Sequence, residues 1–298
     1  MILLVDWASS ALGLHSVGND GAVLASRQSG SGTRTVTDGD FAAVLAREAG
    51  DWLAASDAIY VVGMATGRGG WVETRYAPAP AGIEGLIAGA RDLAVAGKTI
   101  TFLPGVSVAM PLPDVMRGEE IKVFGLGDLG DAHIIVPGHH SKWVSLQSGY
   151  VAGFATYISG EVFALLAKDS IVSRLMPEAS LPSDAAFLRG IQAARQGGDL
   201  GGGVLRRLFS ARSLVLSGGL QPDDIRDYLF GLLTGGEIVE ALTEFDAGVG
   251  SDFAILGTGA LSVRYQQALR LFDRKAVLHE PVELAAAAIA RLHRRRQV

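Results

Sequence analysis

The length and composition of the chain are those of a folded protein with one large or two medium domains. It has 298 residues, of which 49% are hydrophobic and 19% charged, a balance that favours a packed core over disorder. The formal net charge of −5 excludes the broad basic face of a typical nucleic-acid-binding protein. The sequence has no cysteine, which excludes disulfides, cysteine-bound zinc and a thiol nucleophile.

No targeting or membrane segment is predicted. The chain enters its first apolar run without a basic or cleavable leader, and it has no stretch of about 18 apolar residues. We therefore expect a cytoplasmic protein that binds neither membranes nor nucleic acid. The basic run from Arg291 to Arg296 ends a predicted helix, where positive charge is favourable. The sequence leaves open whether the protein is a monomer or a homo-oligomer.

Strands and helices alternate along the chain, and a pattern of strand, polar turn, strand, turn and strand occurs twice. In the first part, strands are predicted at 2–7, 12–17, 22–27, 58–64 and 99–105, and helices at 38–54 and 82–97. In the second part, strands are predicted at 133–137, 143–146, 149–155, 213–219 and 252–257, and helices at 118–127, 160–176, 184–197, 202–211, 222–233, 235–244, 258–271 and 281–295. This order predicts an α/β protein of two lobes, 1–118 and 119–298, each with a mixed sheet and flanking helices.

Two stretches resemble nucleotide-binding motifs in their letters but not in their context, and the second has Asp92 where its motif needs a glycine. "GLGDLG" (125–130) and "DLAVAGKT" (92–99) would each need a preceding strand and a following helix. Both are predicted to leave a helix and enter a strand, so neither is interpreted as a nucleotide site, and Gly97 is expected to cap a helix. His139 and His140 are not predicted to bind a metal, because neighbours in an extended segment point to opposite faces.

The first turn has the composition of a phosphate site. Asp6 ends an apolar strand, and Ser9 and Ser10 follow it. A tight turn of small residues exposes backbone N–H groups and hydroxyls to phosphate oxygens, and a carboxylate at the strand end can hold Mg²⁺ beside them. Asp6 is thus a candidate metal ligand and the serines are candidate phosphate contacts. The alternative is that Asp6 only caps a turn.

Two glycine-rich segments are candidate ligand contacts. The loop at 63–82 follows a predicted buried strand and carries Arg68 and Trp71, and such loops often bind ligands. Gly218 and Gly219 stand between a predicted strand and a predicted helix. Glycine there would let a flat ligand lie close to the backbone.

Charged residues gather at the predicted lobe boundary. Arg117, Glu119 and Glu120 occur within residues 111–125. Arginine binds carboxylates through two parallel hydrogen bonds, and a glutamate can act as a general base. Paired acids are also favourable at a helix start without any catalytic role.

Several motifs together resemble those of a known kinase family. They are "DWASS" (6–10), "GMATGRGGWVE" (63–73), "PDVMRGEE" (113–120), "PGHHSKWV" (137–144), "SGEVFALL" (159–166), "LSGGLQPDDIRDYLFGLLTGGE" (216–237) and "ILGTGALSVRY" (255–265). In this order they resemble the hexokinase/actin-type (ASKHA) superfamily and, within it, the 2-dehydro-3-deoxygalactonokinase family of galactonate catabolism. The resemblance implies a two-lobed, ribonuclease H-like fold with a cleft. It also implies transfer of the ATP γ-phosphate, with Mg²⁺, to the 6-hydroxyl of the sugar acid 2-dehydro-3-deoxy-D-galactonate.

The resemblance also implies roles for individual residues. Asp6 would hold the metal, and Glu119 or Glu120 would be the catalytic base. From charge and position rather than from the resemblance, we expect Arg68 or Arg117 to pair with the carboxylate of the sugar acid, with Trp71 as a further substrate contact. The nucleotide contacts would be Ser9, Ser10, Gly138, His139, His140, Ser141, Lys142, Gly218, Gly219, Gly257 and Gly259.

The chain departs from the family pattern in both turns. Ala8 stands where a glycine is usual, and His139 where a threonine is usual. If the glycine position needs a positive φ, alanine there should cost about 1 kcal/mol. The alternatives are a kinase for another keto-deoxy sugar acid, such as 2-dehydro-3-deoxygluconate, or a non-catalytic sensor of a sugar acid or nucleotide.

Overall fold

The computed structural model describes residues 1–127, 130–196, 203–245 and 252–297. The chain forms two compact units. Unit 1 comprises Met1–Ala132, Ser145–Phe154 and Glu280–Val298, and unit 2 comprises His133–Val144 and Ala155–His279. The predicted lobe boundary at 118 falls inside unit 1, and the C-terminal segment belongs to unit 1 as well.

The elements alternate as an α/β protein requires. The strands are β1 (Ile2–Trp7), β2 (Leu12–Val17), β3 (Val23–Ser29), β4 (Ala58–Gly63), β5 (Ala77–Pro78), β6 (Arg91–Val95), β7 (Lys98–Phe102), β8 (Val106–Val108), β9 (Asp114–Met116), β10 (Ala132–Val136), β11 (Ser141–Gln147), β12 (Tyr150–Tyr157), β13 (Asp252–Leu256) and β14 (Lys275–His279). The α-helices are α1 (Phe41–Ala49), α2 (Asp51–Ala55), α3 (Ile83–Ala88), α4 (Glu119–Gly125), α5 (Ser159–Lys168), α6 (Asp184–Arg195), α7 (Val204–Leu208), α8 (Ser210–Leu216), α9 (Ile225–Glu244), α10 (Ala260–Arg270) and α11 (Pro281–Arg296).

Unit 1 is organised around a six-stranded mixed sheet in the order β3-β2-β1-β4-β7-β6. The first three strands form the predicted antiparallel meander, and β4 pairs parallel to β1. Residues 2–5 of β1 are completely buried, as their unbroken apolar run predicts for a central strand. An aromatic cluster packs beneath the sheet. Its members are Trp7, Phe41, Trp71 and Phe102.

The predicted helix at 82–97 is wrong in its second half. The helix ends with α3 at Ala88, and residues 91–102 form the hairpin of β6 and β7. Ala96 (φ 47°) and Gly97 (φ 78°) both have positive φ, as a tight two-residue hairpin turn requires. Gly97 therefore turns a hairpin and caps no helix. Residues 92–99 therefore resemble a phosphate-binding loop in sequence but not in structure.

The C-terminal helix α11 explains why the units do not divide at residue 118. It packs so closely against α4 that a Cβ on Gly125 would lie 2.4 Å from the carbonyl oxygen of Leu284. Its basic run is tied to other parts of unit 1: Arg291 donates to Phe124 O, Arg294 to Asn19 O, Arg295 to Glu84, and Arg296 to Thr101 and Asp92. The basic run is thus a set of structural contacts within unit 1.

A second sheet of five strands has the order β12-β11-β10-β13-β14, with β13 parallel to both of its neighbours, and β13 and β14 lie in unit 2. Helices α6 and α9 cross at glycines, since a Cβ on Gly231 would lie 2.0 Å from Phe187 O and one on Gly235 3.0 Å from Ile191 Cα. These glycines allow close helix packing and do not break the helix. The two helices predicted at 222–233 and 235–244 are accordingly one helix, α9.

Other sequence predictions also need correction in unit 2. The strand predicted at 213–219 is the end of helix α8, and β14 was not predicted. Of the "GLGDLG" motif, Asp128 and Leu129 lie outside the described residues, but α4 precedes it and β10 follows it, which is the order expected. Within the described ranges, no helix combines the length and hydropathy that a membrane span needs.

Candidate active site

The carboxylate that ends β1 is paired with a lysine of α4. The Asp6 Oδ2 atom lies 2.8 Å from Nζ of Lys122, and Asp6 raises the pKa of the lysine ammonium. Both groups are mostly buried but still reach solvent. Sequence reasoning missed Lys122, although it lies three residues after Glu119 and so near the same face of the helix.

Two glycines bring the backbone close to Asp6. Gly63, at the end of β4, has φ +86°, and Gly118, just before α4, has φ +108°. A Cβ on Gly63 would lie 2.8 Å from Trp7 O, and a Cβ on Gly118 would lie 3.2 Å from the Cα of Gly63. Side chains cannot occupy either position without strain. The ends of β1 and β4 and the start of α4 therefore converge around one carboxylate.

The turn after Asp6 accommodates its alanine without strain. Ala8 does not have a positive φ, so the expected cost of about 1 kcal/mol does not arise. The turn is fixed by backbone hydrogen bonds, from Thr33 N to Ala8 O at 3.0 Å and from Arg34 N to Ser9 O at 3.1 Å. Ser10 is exposed and Ser9 half-buried, so solvent reaches both residues.

The paired glutamates occupy different environments. Glu120 is 1% exposed, and both its oxygens accept the Gly118 N–H, at 2.9 and 2.7 Å. Burial, with the charge of Glu119 adding to it, raises the pKa of Glu120 to about 8. Glu119 is half-buried and accepts a 3.0 Å hydrogen bond from Arg117 N. At neutral pH, therefore, Glu120 is chiefly a buried neutral acid and Glu119 is the accessible carboxylate.

The two candidate arginines are also distinct. Nη1 of Arg117 donates to Thr66 O at 2.7 Å and to the Thr74 hydroxyl at 2.8 Å, and its guanidinium stacks over Tyr76. Arg117 thus ties together the glycine-rich loop, whereas Arg68, in the same loop, is exposed. Trp71 stacks on Phe41 with ring centroids 6.0 Å apart, which places it in the core cluster.

The second turn lies in unit 2 and packs against helix α5. Residues 137–140 connect β10 to β11, and His139 O accepts the Glu161 N–H of α5 at 3.0 Å. A Cβ on Gly160 would lie 2.4 Å from Gly138 O, so α5 packs directly against the turn. His139 and His140 are exposed, and the unusual imidazole of His139 therefore does not disturb the packed side of the turn.

Ser141 and Lys142, which are the first two residues of β11 directly after the turn, are buried, at 0% and 5% exposure. The Ser141 hydroxyl donates to Glu237 Oε2 at 2.9 Å. A hydroxyl has one proton, so Ser141 does not offer it to a phosphate at the same time. The predicted contact of Ser141 with the nucleotide stays a prediction, and it would be made through the backbone. Glu237 is a residue of this region that the sequence did not reveal.

The four glycines predicted near adenosine separate into two kinds. Gly218 (φ +75°) ends α8: its N–H bonds to Val215 O, and the N–H of Gly219 to Leu214 O, the pattern of a glycine helix cap. These two glycines follow a helix, so the prediction that they stand between a strand and a helix is wrong. Gly257 and Gly259 lie between β13 and α10, at a strand-to-helix turn. A Cβ on Gly257 would lie 2.2 Å from the Ser262 hydroxyl.

A resident metal ion has little support among the described residues, which contain no group of three or more histidine, aspartate or glutamate side chains able to hold one. Asp6 is a single carboxylate already paired with Lys122. That donor set suits a magnesium ion that arrives with a nucleotide and meets the protein through water.

Comparison with known proteins identifies the family. The model of the 2-keto-3-deoxy-galactonokinase family matches residues 6–292. A Rhizobium meliloti (strain 1021) protein named "Probable 2-dehydro-3-deoxygalactonokinase" is 35% identical over 306 residues, covering 96% of this chain and 95% of that protein. The chain belongs to the 2-keto-3-deoxy-galactonokinase family. The 2-dehydro-3-deoxygalactonokinase of Escherichia coli (strain K12) is 30% identical over 270 residues, which cover 90% and 89% of the two chains.

The fold of the family agrees as well. A crystal structure described as a 2-dehydro-3-deoxygalactonokinase protein from Sinorhizobium meliloti superposes with a TM-score of 0.88 at 32% identity, covering 99% of each chain. The predicted ASKHA-type fold and membership of this kinase family are confirmed. The match spans the first turn, both glutamates and the second turn, although it assigns no role to any of them.

Proposed function

We propose that the protein transfers the γ-phosphate of ATP to the 6-hydroxyl of 2-dehydro-3-deoxy-D-galactonate. The observation that carries this proposal is the family match over residues 6–292, which includes every residue predicted for the chemistry. We also propose that the protein acts in the cytoplasm, as the sequence predicted, because ATP is available there.

Glu119 is the proposed base. It is the accessible member of the glutamate pair, while Glu120 is buried and its pKa is raised to about 8. A half-buried carboxylate can accept the proton of the sugar hydroxyl as that oxygen attacks phosphorus. The proton then resides on Glu119, and the P–O bond to ADP breaks as the new P–O bond forms. Most of the acceleration in such reactions comes from alignment and charge neutralisation.

Asp6 and Lys122 supply charge at the first turn. When bound with ATP, Mg²⁺ would neutralise phosphate charge, and Asp6 would hold its water ligands. The Lys122 ammonium, kept protonated by Asp6, is placed to neutralise further negative charge. Ser9 and Ser10 would donate to phosphate oxygens, as would backbone N–H groups of Gly138 to Lys142. Gly257 and Gly259 would lie near adenosine, where small residues allow close approach.

Arg68 is the proposed partner of the substrate carboxylate. Its side chain is exposed, whereas the Arg117 guanidinium is engaged by Thr66 and Thr74. Arg117 then acts by holding the loop that presents Arg68, while Trp71 anchors that loop in the core cluster. On this reading, Arg68→Lys should raise the KM for the sugar acid more than the KM for ATP, because lysine cannot form the paired hydrogen bonds of arginine.

The deciding experiment is a coupled ADP-release assay with MgATP and either 2-dehydro-3-deoxy-D-galactonate or its gluconate epimer. We expect turnover on the galactonate compound, and a loss of about 100-fold or more in kcat for Glu119→Gln, since a general base contributes about that much. Preferred turnover on the gluconate epimer would reassign the substrate. No turnover on either, by folded protein that binds MgATP, would favour the sensor alternative.

A further inference from the structure

A buried carboxylate in unit 2 has no part in the chemistry described above. Glu237 lies in the middle of α9 and is 4% exposed. Its Oε2 accepts hydrogen bonds from the hydroxyls of Ser141 and Tyr265, both at 2.9 Å, and from Ser159. Its Oε1 accepts the Trp143 indole N–H at 2.8 Å. Three donors therefore converge on Oε2 and one on Oε1.

Three of these donors come from segments beside the second turn, and the fourth, Tyr265, lies on α10. Ser141 and Trp143 begin β11, directly after the turn, and Ser159 begins α5, which packs on the turn through Gly160. Burial raises the pKa of Glu237, and the hydrogen bonds from its four neighbours oppose that rise. A buried carboxylate is costly unless it is hydrogen-bonded. Because the four donors to Glu237 come from three elements, this network fixes those elements relative to one another.

We propose that Glu237 is a positioning residue for nucleotide phosphates: through Ser141 and Ser159 it fixes the backbone of the Gly138–Lys142 turn in the conformation that binds them. The inference rests on the proposed function, because it needs a nucleotide at this turn. It differs from that function in naming a residue that touches no substrate. Its distinctive consequence is an effect on nucleotide affinity that leaves sugar-acid affinity alone.

The conservative variant Glu237→Gln cannot preserve the network. If the amide oxygen faces the hydroxyls, the amide N–H₂ confronts the Trp143 N–H, which only donates. If the amide oxygen faces Trp143, the hydroxyls must turn their protons away, and Ser141 is released. Hydrogen bonds to charged groups are the stronger class, so we expect the KM for MgATP to rise about tenfold or more, with the KM for the sugar acid changed by less than about twofold.

Asp227 provides the matched control. It lies on the same helix, is 7% exposed, and accepts hydrogen bonds from Arg264 at 2.5 Å and from Ser183 N at 2.6 Å. None of these partners belongs to the turn. Asp227→Asn makes the same chemical change and should lower the unfolding temperature while leaving the KM for MgATP unaltered. Equal effects of the two variants on that KM would overturn the proposal.

Two milder variants test the same connection if Glu237→Gln does not fold. Ser141→Ala and Ser159→Ala each remove one hydroxyl, and each should raise the KM for MgATP. In a folded double variant, Ser141→Ala should add little to Glu237→Gln, because contacting residues in one network are not additive. A wild-type KM for MgATP in both serine variants would overturn the proposal.

Direct titration with a non-hydrolysable MgATP analogue separates the two proposals. Wild-type protein that binds the analogue but phosphorylates no sugar acid refutes the proposed function, and the weaker binding expected of the Glu237→Gln or serine variants still decides the role of Glu237. Wild-type protein that binds no analogue overturns both.

Discussion

Replacing Glu120 by glutamine tests the assignment of the two glutamates. In the folded protein its pKa is about 8, against an ordinary value of 4.5. Because the folded pKa is raised, the contribution of Glu120 to stability is fully present below pH 4.5 and is lost as pH rises toward about 8. At pH 7 the cost of keeping this carboxyl protonated reaches about 3 kcal/mol, at about 1.4 kcal/mol per pH unit.

Glutamine has no proton to lose, and its amide oxygen can still accept the Gly118 N–H. We therefore expect Glu120→Gln to stabilise the protein by up to about 3 kcal/mol at pH 7, or about 5 °C in Tm. The gain should fall below about 1 kcal/mol near pH 5, where the unfolded carboxyl is largely protonated as well. Turnover should persist, since the base is Glu119.

The assay is denaturant unfolding of the wild type and of Glu120→Gln at several pH values between about 5 and 8, with Glu119→Gln as the matched control. The free energies of unfolding of wild type and Glu120→Gln should diverge as pH rises. Parallel curves, or a variant less stable than wild type at pH 7, would show that Glu120 is ionised in the folded protein and would refute the reasoning. Loss of turnover in Glu120→Gln but not in Glu119→Gln would transfer the role of base to Glu120.

Three further substitutions probe the surroundings of this site. Gly118→Ala forces a side chain into a backbone with φ +108° and within 3.2 Å of Gly63 Cα, so it should cost about 1–2 kcal/mol in denaturant unfolding and lower kcat. Lys122→Met leaves Asp6 without its cation and should reduce kcat more than tenfold in the ADP-release assay, whereas unchanged kcat would remove Lys122 from the site. Arg296→Ala removes contacts to Asp92 and Thr101 and should lower stability by about 1 kcal/mol with no change in kcat.

The departures in the two turns fit the backbone conformations that the structure shows. Ala8 does not have a positive φ. The backbone carbonyl of His139 accepts a hydrogen bond from α5, and His139 is exposed to solvent. Neither residue therefore introduces backbone strain or a packing conflict in its turn. This favours an active kinase over the sensor alternative, which depended on distorted phosphate turns.

The sequence predicted the elements whose signals are local. The apolar run of β1 and the turn signals around β2 and β3 indicated the meander of unit 1, and the same pattern indicated β10 to β12. Motif order was sufficient to suggest the kinase family, because the quoted motifs span nearly the whole chain. The acid at a strand end marked Asp6, and the paired acids at a helix start marked Glu119 and Glu120, as candidates without distinguishing the roles of the two glutamates.

Tertiary structure decided what depends on neighbours distant in sequence. Gly235 and Gly236 suggest a helix break in sequence, yet both lie within one helix, where Gly235 packs against α6 and Gly236 against Val204 of α7. Lys122 and Glu237 carry no local signal, because each is defined by a partner about 100 residues away in the chain, Asp6 or Ser141. Burial, which only the folded chain determines, makes Glu120 a neutral acid and leaves its neighbour Glu119 as the accessible carboxylate.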